Sequence, residues 1–188
     1  MFVQDVFHLS RIDVLGTFAL DASRGYAGAM FAPTLYDLLK FLHITGVVML
    51  MGNITVTAIW KFFADRDGRP QVLGFAQKLV TYTDWAMTVW GVILTMGGGY
   101  GMAWLAGIDL FGSRWLAGAQ LLFLSSGLVW LGRIVPLQIT QARLARDFAD
   151  GGAVPAAYRR ASRAWLAWGL VATVPLVAAT WLMVAKPA

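Results

Sequence analysis

Four stretches of this chain are continuously apolar over a length that can cross a bilayer core, about 20 residues. They run from Tyr36 to Phe63, Tyr82 to Ala106, Trp115 to Leu137 and Trp165 to Val184. The pattern predicts an all-α protein, a four-helix transmembrane bundle. Residues 1–35 form an N-terminal extension and residues 36–188 the transmembrane domain. Asp5, Arg11, Asp13, Asp21 and Arg24 interrupt every apolar run of the extension, so it lacks the h-region of a signal peptide. Val3, Phe7, Val14 and Phe18 recur there at near-helical spacing. That segment is expected to be periplasmic or interfacial, with a loosely ordered tail as the alternative.

Composition agrees with the pattern. Of the 188 residues 59% are hydrophobic and 13% charged, with a mean hydropathy of +0.64, outside the range of a soluble domain. Trp85, Trp104, Trp115, Trp165 and Trp181 stand near span ends, as an aromatic belt requires. The basic pI of about 9.9 follows from topology and does not imply nucleic acid. Lys61, Arg66, Arg69 and Lys78 lie between the first two spans, and Arg143, Arg146, Arg159, Arg160 and Arg163 between the last two. The positive-inside rule then places both basic connections in the cytoplasm and both termini outside. The chain has no cysteine, which excludes disulfides, iron–sulfur ligation and thiolate zinc sites.

Polar residues inside apolar runs are costly and mark sites by default. His43 is the only histidine in a span, and on a 100° helical wheel it shares a stripe with Gly46, Leu50, Asn53 and Thr57. Neutral imidazole suits haem iron or copper, and Gly46 one turn away leaves room for a flat group. The alternative is a histidine bonded to a neighbouring helix. Lys40, Arg114 and Lys186 belong to the same end of the bundle. They make a cluster for haem propionates or, alternatively, snorkel to the interface. Met96, Met102 and Met183 are candidates for a sixth ligand or for copper beside His43. His8 lies in the extension.

Asp84, Thr88, Gly91, Thr95 and Gly98 give the second helix one small or polar face, read as a close helix contact. Asp84 is expected to pair with Arg133, with a proton relay as the alternative. Gln120, Ser125 and Ser126 are expected to bond between helices. The glycines at 97–99 lack the context of a phosphate-binding loop.

The segments "LLKFLHITGVV", "TYTDWAMTVWGVI", "RLARDFADG", "YRRASRAWLAWGL" and "WLMVAKP" closely resemble a bacterial family of predicted integral membrane proteins, domain of unknown function 2269. The resemblance runs from Tyr36 to the end and implies no activity. A more distant similarity reaches the HemJ-type protoporphyrinogen oxidases and the CopD-type copper-resistance proteins. It rests on Lys40-x-x-His43, "T-x-x-AM", "WL", "YR" and "VAKP". The HemJ resemblance implies b-type haem bound through His43. The chain departs from that pattern at Ala119, where those proteins carry a functional lysine. It departs again in "RRASRAWLAW", which lacks their acidic residue. Two functions therefore stand side by side. One is a haem-binding membrane protein with a redox or haem-handling role. The other is a non-catalytic accessory subunit that docks on a larger respiratory or photosynthetic complex. Its expected partners are the lipid bilayer and, beyond it, other membrane subunits or a second copy of the chain.

Overall fold

The computed structural model describes residues 34–187, which are helical apart from short connections. The extension and His8 lie outside the described residues. Helix α1 (Leu35–Asp67) starts at a reciprocal cap. The Asp37 N–H donates to Thr34 Oγ1 at 3.1 Å, and the Thr34 N–H donates to Asp37 Oδ2 at 3.2 Å, so two donors at the helix start are satisfied. Gly68 takes a positive φ of 74° to end the helix, and Pro70 opens α2 (Pro70–Thr83). A π-helical turn, Asp84–Val89, carries the rod into α3 (Trp90–Leu105). Helix α4 (Arg114–Val129) likewise runs through a π-turn, Trp130–Ile134, into α5 (Val135–Phe148). Pro136 sits just after that turn and has no N–H for the carbonyl four residues back, which accounts for the local widening. Helix α6 (Ala156–Ala185) closes the chain.

Three of these helical runs are long and apolar enough to cross a membrane: Leu35–Asp67, Arg114–Phe148 and Ala156–Ala185. The run Pro70–Leu105 is as long, but Gly91, Gly97, Gly98, Gly99 and Gly101, with threonine, tryptophan and tyrosine, dilute its apolar character. The helices also overrun the predicted spans. Lys78, Arg143, Arg146, Arg159, Arg160 and Arg163, read as loop residues, stand on helices, and the true connections there are short.

The packing inverts the soluble pattern. Phe41, Val48, Phe63, Leu128, Leu170, Val174 and Trp181 are exposed, whereas Lys61, Gln77, Gln141 and Ser162 are buried. Apolar side chains facing lipid and polar ones facing neighbouring helices are what a hydrocarbon solvent selects. Two apolar clusters fill the half of the molecule nearer the basic connections. Ala64, Leu73, Ala76, Ala145, Phe148 and Tyr158 form the first, and Val80, Ile134, Trp165 and Ala172 the second. Trp165 thus belongs to the interior and not to an aromatic belt, because α6 begins two turns before it. Trp85, Trp104 and Trp181 are exposed as a belt requires.

Helix α1 crosses α3 at very short range. A Cβ on Gly46 would fall 2.5 Å from the Thr95 amide nitrogen, and one on Gly98 2.7 Å from the His43 amide nitrogen. The small face read from the sequence is therefore a helix-contact seam.

Candidate functional site

Three polar groups punctuate the bundle. The first is His43, half-buried on α1, whose Nδ1 lies 2.7 Å from the Thr95 carbonyl of α3. A carbonyl only accepts, so Nδ1 carries a proton, and in the neutral ring the lone pair is on Nε2. Gly99 allows this: a side chain there would meet the ring at Nδ1, 3.0 Å away. The expectation that Gly46 leaves room for a flat group fails. The Thr95 and Gly91 backbones already occupy that space. Lys40, Arg114 and Lys186 are exposed at the same end, and Lys186 Nζ lies 5.6 Å from the centroid of the Trp115 ring. Met96 faces a different region, the central cavity described below, which His43 does not line.

The second group surrounds Asp84 at the first π-turn. Asn53 Nδ2 donates to Asp84 Oδ1 at 3.1 Å and to Thr88 Oγ1 at 2.8 Å, and the Thr88 hydroxyl donates to Asp84 Oδ1 at 2.9 Å. Gln138 and Trp130 also present donors to the carboxylate. The expected Asp84–Arg133 ion pair is absent. Arg133 is exposed and its guanidinium lies 5.4 Å from the centroid of the Trp168 ring. The π-turn around Arg133 carries its long side chain out of the bundle, where it stays solvated or snorkels. Asp84 also lines a cavity of about 610 Å³ between α1, α3, α4 and α6. Its walls are otherwise almost wholly apolar, and exposed Phe63, Leu128 and Leu170 among them open it towards lipid.

The third group was not anticipated. Lys61 is completely enclosed, and its ammonium donates to Asp65 Oδ1 (2.8 Å), Tyr158 OH (3.1 Å) and Ser162 Oγ (2.6 Å). Ser162 donates in turn to Asp65 Oδ2. All three ammonium protons are used, the condition under which a buried lysine is tolerated. By sequence Lys61 groups with the cations between the first two spans. The signal was there, because the His43–Asn53–Thr57 stripe reaches Lys61 four residues on and Asp65 four beyond. Of the three residues expected to bond between helices, only Ser126 does, to the Ala172 carbonyl at 2.8 Å. Ser125 bonds back to Leu122, and Gln120 to Leu110 and Leu116.

The family described as Predicted integral membrane protein (DUF2269) matches residues 37–187. The chain belongs to this family. No curated protein and no solved structure matches it. The match begins at residue 37, so residues 1–36 lie outside it. Membership establishes an integral membrane protein with apolar helices.

Proposed function

We propose that the protein is a four-span membrane protein that binds b-type haem with His43 as axial ligand, in a redox or haem-handling role. The observation that carries this reading is the Nδ1–H bond from His43 to the Thr95 carbonyl. Second-shell bonds of that kind fix the tautomer and the ring orientation of metal-bound histidines and raise their basicity. They leave Nε2 as the ligand atom. The Lys40-x-x-His43 resemblance to haem-binding proteins supports the same residue.

The neighbouring residues fit unevenly. Lys40, one turn from His43, and Lys186 and Arg114 at the same end supply cations for two propionates. Gly46 does not contribute, since α3 fills its place. Bound haem would supply one-electron chemistry. The chain's own part is to hold the ring, orient it through Thr95 and neutralise the propionates. Copper finds less support, because Met96 and His43 face different regions. Among the described residues no three His, Asp or Glu side chains cluster for a metal.

The same reading takes both termini as periplasmic, in a bacterial inner membrane, and the charge of the basic connections supports it through the positive-inside rule. One absorption spectrum tests the function. Protein purified from haem-replete cells should show a Soret band that His43→Ala abolishes while the variant remains extractable and folded. A wild-type protein without that band would overturn the haem reading, and the accessory-subunit reading would replace it.

A further inference from the structure

Between the two apolar clusters lies a single polar layer. Lys61 stands between Trp60, which packs on the second cluster, and Ala64 of the first. Gln77 stands between Leu73 and Val80, Gln141 between Leu137 and Ala145, and Ser162 between Tyr158 and Trp165. Each helical run contributes one of the four, and none is more than 2% exposed. Lys61 and Ser162 are satisfied. Gln77 is not: neither its amide nitrogen nor its oxygen has a partner. Gln141 Oε1, Gln138 Oε1, Trp60 Nε1 and Trp165 Nε1 are buried without partners as well.

A buried polar group left without a partner is costly, and six such atoms in and beside this layer cannot all be left in that state. Their chemistry identifies what meets them. Trp60, Trp165 and the Gln77 nitrogen donate, while three glutamine oxygens accept. A metal cation would leave the donors unmet and an anion the acceptors. Water does both, and buried water typically makes about three hydrogen bonds to otherwise unsatisfied groups.

The layer has a carboxylate at each end. Towards the basic connections, Asp65 shares Lys61 and Ser162 and opens, with Tyr158, Arg159 and Arg163, into a cavity of about 320 Å³. Towards the bilayer centre, Gln138 stands one turn from Gln141 and presents its amide to Asp84. Among the described residues no cation faces Asp84: its contacts come from Asn53 on α1, Thr88 on its own turn, and Trp130 and Gln138 on the third run, and Arg133 points away. A proton is the countercharge left to it.

We propose that the polar layer holds internal water molecules that relay protons between Asp65, at the basic-connection face, and Asp84 beside the central cavity. Each water accepts one proton and passes one on, so no water is consumed. A proton entering from solvent at the cavity beside Asp65 passes inward along the waters, and the Asp84 carboxylate becomes a neutral acid at the other end. This relay does not depend on haem.

Dicyclohexylcarbodiimide, an apolar reagent that reaches carboxylic acids from the bilayer, tests it. The acid O–H adds across one C=N bond and the product rearranges to an N-acylurea that retains the whole reagent mass. The full chain in sealed vesicles would be labelled with the pH set separately on each side. Proteolysis of the 149–155 connection identifies which face is outward, and peptide mass spectrometry locates the adduct. Asp84 labelling should rise on acidifying the basic-connection face and ignore the other. Asp84→Asn should lose that adduct, and Gln77→Leu/Gln141→Leu should lose the response to pH on that face. Labelling that follows the opposite face, follows neither, or is absent from wild type would overturn the relay. So would a double variant that keeps the wild-type response. The two-sided pH comparison on wild type decides the matter even if the double variant fails to fold.

Discussion

Asn53 on α1 turns its amide onto Asp84 at the first π-turn, with Nδ2 3.1 Å from Oδ1. Three neutral donors and the hydroxyl of Thr88, not an arginine, hold a carboxylate inside this bundle. Leaving a buried hydrogen-bonding group without its partner costs about 1–3 kcal/mol. Asn53→Leu should therefore lower stability by about that amount in a detergent thermal-unfolding assay. Arg133→Ala should stay within about 0.5 kcal/mol of wild type, as for a surface change. Equal losses from the two variants would restore the ion pair.

The α1–α3 seam gives a second contrast. A methyl group at Gly46 would press on the Thr95 backbone, which cannot rotate aside, so Gly46→Ala should cost about 1–3 kcal/mol as overpacking. Gly97 has open space around its Cβ position. Gly97→Ala should be neutral or stabilise by up to about 1 kcal/mol through helix propensity. Matched melting temperatures would show that α1 and α3 do not cross so closely.

Removing the Lys61 ammonium leaves Asp65 without its cation. Buried pairs broken in this way cost about 3–5 kcal/mol, but the Asp65 side chain is 24% exposed, so solvent should hold the loss at or below that lower bound. Asp65→Leu, which strands the fully enclosed Lys61 ammonium, should be the more harmful single change, and Lys61→Met/Asp65→Leu should be milder than Asp65→Leu alone. Additive losses in the cycle would mean the pair carries no coupling.

Reporter fusions at Gly68 and Gly152 separate four spans from three. If Pro70–Leu105 crosses the bilayer, both connections lie on one side, and the positive-inside rule makes that side cytoplasmic. Opposite signals would mean that this run enters the membrane without crossing it.

The apolar runs and the basic segments between them determined the class of the protein from sequence alone. Burying backbone polar groups in hydrocarbon leaves helices as the available solution for segments of this length and composition. The small face on Gly91, Thr95 and Gly98 was legible for the same reason, since its spacing admits a close neighbour whatever the neighbour is. Partner choice was not legible. Whether Asp84 meets Arg133 or Asn53 depends on two π-turns, each of which rotates the residues beyond it by an amount that a regular helical wheel does not contain. The position of Pro136 hinted at one of them, and nothing in the residue pattern marked the other. Gly46 looked like free space because a wheel shows what a residue lacks but not which helix fills the gap. Lys61 looked like a loop cation because helices that overrun the bilayer carry charged residues into contacts between helices. Only the packing of α1 against Tyr158 and Ser162, 97 and 101 residues away, turned that lysine inward, where burial is tolerated once every proton of the ammonium has an acceptor.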